Sequence, residues 1–175
     1  MNPFLASILE ELETASAALT ESAVMTAVQK IEEHRRIFLY GAGRSGLMLR
    51  AFAMRLVQMG KCAYVAGETI TPAIGPGDLL VVASASGKTH SVCHCAKTAK
   101  EAGAEVFVIT ASEHSPLTQI QTADVIFCAP AKDSTASGQV MGSLFEQLLL
   151  LFSDAVIAAT HTDEQLMRQN HANLE

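Results

Sequence analysis

Short, almost wholly apolar runs alternate with longer amphipathic segments along most of the chain. The apolar runs predict five strands, at residues 37–40, 62–66, 79–83, 106–109 and 124–128. Apolar residues at helical spacing predict helices at residues 47–59, 89–102, 116–121 and 138–160. Short strands without alternation are typical of a parallel sheet that is covered on both faces. We therefore expect an α/β fold, a three-layer sandwich around a five-stranded parallel sheet of order 2-1-3-4-5.

The two ends of the chain lie outside this alternation. Residues 3–34 keep one apolar face at helical spacing, with a break near Leu19 and Thr20, and predict a helical N-terminal arm. Residues 161–175 predict one more short helical piece. No repeat or low-complexity linker divides the chain, so residues 1–175 are expected to form a single domain with these two appendages.

Two polar loops follow the first and third predicted strands. Residues 41–46 read Gly-Ala-Gly-Arg-Ser-Gly, and residues 84–89 read Ser-Ala-Ser-Gly-Lys-Thr. In the expected strand order both loops lie at the switch point on the carboxyl edge of the sheet, where such folds bind ligands. Hydroxyls and the N–H groups of a helix N-terminus suit an anion. The loops therefore predict a site for a phosphorylated small molecule, and an ordinary Ser/Thr-capped turn is the alternative.

Each loop also partly matches a nucleotide-binding motif. The glycines of residues 41–46 match the dinucleotide fingerprint, with Glu68 as a candidate ribose ligand. The long helix before the first strand and the second hydroxyl-rich loop disfavour NAD. Gly87, Lys88 and Thr89 imitate the end of a Walker A loop, but Val82 stands where that motif needs its first glycine, which disfavours an ATPase.

Glu146 is the most informative carboxylate, because nearly every other residue of 142–152 is apolar. A glutamate is rarely buried without a partner or a role, and a carboxylate that has lost its hydration is a stronger base. We therefore expect Glu146 to be a general base. The alternative is a structural glutamate, either on the helix surface or paired with Arg44 or Arg55 across a subunit interface.

Composition narrows the function classes further. The net charge of −6 and the lack of a basic stripe argue against nucleic-acid binding. Two carboxylates in the apolar segment 138–160 argue against a membrane span, and the N-terminus lacks the basic start of a signal peptide. The mean hydropathy of +0.26 suggests apolar surface that is buried between subunits.

The cysteines argue for a reducing compartment. Four cysteines without a Cys-x-x-Cys pair favour free thiols in the cytoplasm. The adjacent Cys93, His94 and Cys95 point in different directions on a helix, so no metal site is expected there.

Several stretches together resemble one family, the 6-phospho-3-hexuloisomerases of the sugar isomerase (SIS) domain superfamily. Besides the two polar loops, they are Gly-Glu-Thr-Ile-Thr-Pro at residues 67–72, Met-Gly-Ser-Leu-Phe-Glu at 141–146 and His-Ala-Asn-Leu at 171–174. The resemblance covers nearly the whole chain. The two loops are common to SIS domains, whereas the stretches at 67–72 and 141–146 are specific to this family.

The resemblance implies a flavodoxin-like SIS sheet and the interconversion of 3-hexulose 6-phosphate and fructose 6-phosphate through a cis-enediol. It implies no metal or organic cofactor, and a homotetramer built as a dimer of dimers. Glu146 would be the proton acceptor, and His171, reaching a neighbour's site, would assist ring opening. The sugar phosphate would be bound by Gly43, Ser45, Ser84, Ala85, Ser86, Gly87, Lys88 and Thr89.

Three positions depart from the family pattern. Gln58 stands where family members commonly have histidine, Ala85 replaces a glycine and Lys88 replaces a glutamate. Lys88 should strengthen the attraction for an anion. Two alternatives therefore stay open: an SIS isomerase for another anionic sugar, and a non-catalytic sensor of sugar phosphates.

Overall fold

Five parallel strands form one sheet in the order β2-β1-β3-β4-β5, in a computed structural model that describes residues 1–128 and 137–174. The strands are β1 (Arg36–Gly41), β2 (Cys62–Val65), β3 (Leu79–Ser84), β4 (Glu105–Thr110) and β5 (Val125–Phe127). The central strand β3 is buried along its whole length, as a sheet covered on both faces requires. The predicted fold class and strand order are confirmed.

Helices cover both faces of this sheet. The described helices are α1 (Pro3–Ser16), α2 (Glu21–Glu33), α3 (Gly43–Gln58), α4 (His90–Glu101), α5 (Pro116–Ile120), α6 (Ser143–Ala159) and α7 (Glu164–Gln169). Helix α7 contacts α3 and buries none of its own residues. One core lies between the sheet and helices α1, α2, α3 and α6. A second core lies on the opposite face, under α4 and α5. The result is the expected three-layer sandwich.

The N-terminal arm breaks where its sequence indicates. Helix α1 ends at Ser16, and Thr20 caps α2 by accepting a hydrogen bond from the Ala23 N–H at 3.2 Å. Ala15 of α1 and Ile31 of α2 belong to the same core as the sheet. The arm is therefore packed against the rest of the chain.

Helix α6 begins later than its apolar pattern predicts. A single 3₁₀ turn (Val140–Gly142) precedes it, and the α-helix starts at Ser143 instead of residue 138. Met141 and Gly142 have φ values of 56° and 82°, which an α-helix cannot include. The prediction of the helix start was wrong because apolar spacing does not report backbone dihedral angles. The predicted loop at 129–137 lies outside the described residues except for Ser137.

The segment Val140–Ala159 is, by length and composition alone, apolar enough to cross a membrane, with a mean hydropathy of 1.6. A core helix of a globular protein passes the same test, so one such helix is weak evidence. In the fold, α6 buries Phe145, Leu148, Leu149 and Phe152. These side chains join the core that α6 shares with α1, α2 and α3.

Candidate active site

The two polar loops leave neighbouring strands at the same edge of the sheet. Strands β1 and β3 pair in parallel with Gly41 beside Ala83, so their carboxyl ends are level. Paired strands lie about 4.8 Å apart. The loops at residues 42–45 and 84–89 therefore start side by side at the switch point, as the sequence predicted.

Close packing shapes the first loop. A Cβ on Gly46 would lie 2.3 Å from the carbonyl oxygen of Gly41, so the start of α3 can press against the end of β1 only without a side chain there. Gly43 opens α3 with φ +56°, and Ser45 is partly buried in the first turn. Ala42 at the N-cap has no side chain that could cap the helix. The first N–H groups of α3 therefore remain available to a ligand.

Contacts with the rest of the fold fix the inner side of the second loop. Gly87 has φ +61°, and a Cβ on it would lie 2.1 Å from the Ser115 Oγ. The Leu117 N–H donates to the Gly87 carbonyl at 3.1 Å. Ser84 is only 4% exposed, and its Oγ lies 3.0 Å from the Thr89 Oγ1. The Ser84 and Thr89 hydroxyls are thus already paired with each other.

The outer side of the same loop faces solvent. Ser86 and Lys88 are exposed, and Ala85 is partly buried. The Lys88 N–H donates to the Ser86 Oγ at 3.2 Å, which holds the loop turned back on itself. Thr89 at the N-cap of α4 makes no capping hydrogen bond to that helix. The loop therefore leaves Ser86 and Lys88 exposed, directly before the N-terminus of α4.

Arg44 joins the first loop to the start of α6. Its Nη1 donates to the Glu146 Oε2 at 3.0 Å and to the Ser143 Oγ at 2.9 Å. The Glu146 side chain is 14% exposed, whereas that of Arg44 is 48% exposed. The pairing with Arg44, which the sequence analysis gave as the structural alternative across a subunit interface, is present and lies within one chain. Arg55 donates instead to the Gln58 Oε1 at 2.9 Å.

His171 lies far from Glu146 within one chain. The neighbouring Asn170 Nδ2 donates to the carbonyl oxygen of Gln58, the last residue of α3, at 3.0 Å. Arg44 stands in the first turn of the same helix, whose 16 residues span about 24 Å at 1.5 Å per residue. His171 and Glu146 can therefore share a site only if a second copy of the chain brings them together. The buried Gln58 lies at the same remote end.

Sequence reasoning missed Glu11, a residue of α1 that contacts the segment before α6. Its carboxylate accepts hydrogen bonds from the Ser137 Oγ at 2.7 Å, the Gly138 N–H at 2.8 Å and the Gln139 Nε2 at 3.2 Å. These bonds, the one from Ser137 most, lower the pKa of Glu11. No sequence signal links residue 11 to residues 137–139, because they meet only in the folded chain.

Glu68 and Cys95, which the sequence analysis also considered, have structural surroundings that account for them. Glu68 pairs with Arg50 of α3, which satisfies its carboxylate. Burial raises the pKa of Cys95 to about 11, so its thiol stays protonated at neutral pH. Within residues 1–128 and 137–174, no three His, Cys, Asp or Glu side chains come together as a metal site would need.

Comparison with known proteins places the chain in a family. The SIS domain model matches residues 30–151. The chain is 41% identical over 180 residues to a 3-hexulose-6-phosphate isomerase of Mycobacterium gastri, covering 98% of this chain and 89% of the relative. A 3-hexulose-6-phosphate isomerase of Bacillus subtilis is 40% identical, with coverages of 98% and 97%.

A solved structure agrees with these relatives. The Methanococcus jannaschii protein, for which its structure inferred a 3-hexulose-6-phosphate isomerase function, superposes with a TM-score of 0.84. It is 30% identical, and the match covers 98% of each chain. The chain belongs to the SIS domain family and, within it, to the 6-phospho-3-hexuloisomerases.

Proposed function

We propose that this protein is a sugar-phosphate isomerase that interconverts 3-hexulose 6-phosphate and fructose 6-phosphate, with Glu146 as the base. The observation that carries the proposal is the place of Glu146. Its mostly buried carboxylate lies at the start of α6 and accepts a hydrogen bond from Arg44 of the first polar loop. That loop lies beside the loop at residues 84–89. A base next to a phosphate site is what this reaction needs.

The chemistry requires one base and no redox partner. In fructose 6-phosphate the carbonyl is at C2, and the base removes the proton from C3 to form a cis-enediolate. The same group, now a carboxylic acid, returns the proton to C2, while the hydroxyl proton passes from O3 to O2. The carbonyl then stands at C3. A single carboxylate near both carbons is enough for this transfer.

The two loops supply the phosphate site in this proposal. Residues 84–89 and the uncapped N-terminus of α4 present N–H and hydroxyl donors, and Gly43 and Ser45 face the same edge from α3. The ammonium group of the exposed Lys88 adds a positive charge for the dianion. The phosphate would anchor the sugar so that its carbonyl carbons lie near Glu146.

Arg44 has a positioning role in this proposal. Its hydrogen bonds to both Glu146 and Ser143 limit the rotamers that the Glu146 side chain can adopt. The base is thus oriented before the substrate arrives.

We further propose that the protein is a homotetramer, with His171 acting on a neighbouring copy to assist ring opening. Exposed apolar side chains on α1, α3 and α6 support association. They are Phe4, Leu5, Leu9, Leu47, Met54, Val57 and Leu151. Multi-angle light scattering on the purified protein measures the assembly state directly.

Two further proposals concern the whole chain. We place the protein in the cytoplasm, because its four cysteines are free. We also take residues 1–175 as one domain, because α1 and α2 share a core with the sheet.

The test is conversion of fructose 6-phosphate followed by NMR, for the wild type, Glu146→Gln and Asp154→Asn. Asp154 is the matched control, an exposed carboxylate on the same helix. Glu146→Gln should lower kcat at least about 100-fold and keep binding, since a general base typically contributes that much. Asp154→Asn should leave kcat unchanged.

Other results would point elsewhere. Equal turnover by the wild type and Glu146→Gln would remove Glu146 as the base. If neither the wild type nor the variants convert fructose 6-phosphate, but this sugar phosphate raises the melting temperature of the wild type, a sensor function is favoured. Turnover of a different anionic sugar by the wild type would correct the substrate and keep the reaction class.

A further inference from the structure

The N-terminal helix contacts the segment that precedes α6, the helix that carries the candidate base Glu146. We propose that Glu11 is a positioning residue for Glu146, acting through residues 137–139, which we term the lead-in segment. The inference rests on the proposed function of Glu146. It adds a role for the N-terminal helix, which carries none of the residues proposed to bind or transform the substrate.

The Glu11 carboxylate contacts every residue of the lead-in segment. Ser137 donates through its Oγ at 2.7 Å, Gly138 through its backbone N–H at 2.8 Å, and Gln139 through its Nε2 at 3.2 Å. The Gln139 N–H also donates to the Ser137 Oγ at 3.0 Å, which closes the segment into a compact turn. Three donors from consecutive residues fix both the place and the orientation of the turn.

The lack of a side chain at Gly138 lets the Glu11 carboxylate approach closely. A Cβ on Gly138 would lie 2.9 Å from the Glu11 Oε1, so a side chain there would displace the carboxylate. The φ of Gly138 is outside the left-handed region, so alanine could adopt its backbone conformation. The close contact at this position therefore comes from the Glu11 carboxylate, the end of a flexible side chain that would have to shift.

From the lead-in segment a short chain of contacts leads to Glu146. The 3₁₀ turn Val140–Gly142 follows directly, and the Ser143 Oγ donates to the Val140 carbonyl at 2.8 Å. Ser143 in turn accepts from Arg44, which also donates to Glu146. A displacement of the lead-in segment would therefore shift Ser143 and the shared Arg44, and with them the carboxylate of Glu146.

The test compares Glu11→Gln with the matched control Glu13→Gln, an exposed glutamate on the same helix. Glutamine keeps the size of Glu11 but has one acceptor oxygen for three donors. We expect kcat of Glu11→Gln to fall about tenfold, because small misplacements of a catalytic group have large costs. KM should stay within about twofold, because the 84–89 loop is untouched. Glu13→Gln should match the wild type.

A double-mutant cycle tests the contact itself. Glu11→Ala and Gly138→Ala should each lower kcat, and the double variant should be no worse than Glu11→Ala, because the clash has gone. Hydrogen exchange at residues 137–146 should rise in Glu11→Gln and Gly138→Ala, with α4 unchanged. That exchange does not depend on turnover.

The outcomes separate this inference from the proposed function. A wild type without isomerase activity overturns the proposed function and, with it, the positioning role of Glu11. An active wild type with equally active Glu11→Gln overturns the inference alone. Additive effects of Glu11→Ala and Gly138→Ala, or loss of kcat with unchanged hydrogen exchange at 137–146, would also overturn it.

Discussion

The 84–89 loop and the start of α6 are both held by hydrogen bonds, but of different kinds. Neutral groups of nearby strands and turns fix the loop, such as the Thr110 Oγ1, which donates to the Ser84 carbonyl at 2.8 Å. Charged side chains about a hundred positions away or more hold the start of α6, namely Arg44 and Glu11. Substitutions that add side-chain volume should therefore disturb the 84–89 loop most. Substitutions that remove a charge should disturb the start of α6 most.

The largest expected effect is on the loop. Gly87→Ala would place a Cβ 2.1 Å from the Ser115 Oγ at a φ of +61°, and we expect it to lower the free energy of unfolding by about 3 kcal/mol. It should also abolish detectable binding of fructose 6-phosphate. Urea unfolding and calorimetric titration measure the two effects.

Gly43→Ala is the control for Gly87→Ala. Its φ of +56° is nearly the same, but a Cβ there meets nothing within 4 Å. Backbone strain alone should cost about 1 kcal/mol. Equal destabilisation by the two substitutions would show that packing against Ser115 does not fix the loop.

A smaller effect is expected at the α6 start. Arg44→Met removes the hydrogen bonds to Glu146 and Ser143. Because Arg44 is about half exposed, solvent screening should keep the loss of stability near 1 kcal/mol or below, whereas kcat should fall about tenfold as Glu146 loses its orientation. Unfolding and steady-state kinetics separate the two.

Arg55→Met provides the comparison for Arg44→Met. Arg55 lies on the same helix and donates to Gln58, at the end of α3 away from the loops. The Arg55→Met variant should lose little isomerase activity. A kcat for Arg44→Met equal to that of Arg55→Met would contradict the role of Arg44.

The smallest effect is a pH dependence of stability from Glu11. Hydrogen bonds, chiefly from Ser137, lower the pKa of Glu11 from its ordinary value of 4.5. A carboxyl group with a lowered folded-state pKa stabilises the fold above about pH 4.5, and this is lost as the pH falls through the folded-state pKa. The melting-temperature difference between the wild type and Glu11→Gln should therefore be constant from pH 7 to about pH 5 and narrow below pH 4.5. A difference that stays constant to pH 3.5 would contradict the assignment.

The elements predicted from sequence are those whose causes are local. Apolar runs indicated all five strands, Thr20 marked the break between α1 and α2, and Gly60 ends α3 with φ +87°. The start of α6 was misplaced because Met141 and Gly142 take left-handed conformations inside an apolar stretch. Methionine gives no signal for that conformation.

The candidate site also contains features with local causes and features that depend on tertiary packing. Both polar loops could be found from sequence, because glycines, hydroxyls and their position after a strand are local features. That Glu146 pairs with Arg44 of its own chain depended on α3 and α6 packing side by side. The remote position of His171 depended on the docking of the C-terminal tail on Gln58.

By itself, the sequence determined the strands, their parallel order, the two loops and the apolar setting of Glu146. These follow from side-chain periodicity and from residues whose backbone preferences act over a few positions. Only the tertiary structure decided that Arg44 donates to both Glu146 and Ser143, that Glu11 contacts residues 137–139 and that His171 lies at the far end of α3. Those contacts join residues 99 to 128 positions apart, or depend on where the tail docks. Their distances depend on how whole helices pack, which no local pattern encodes.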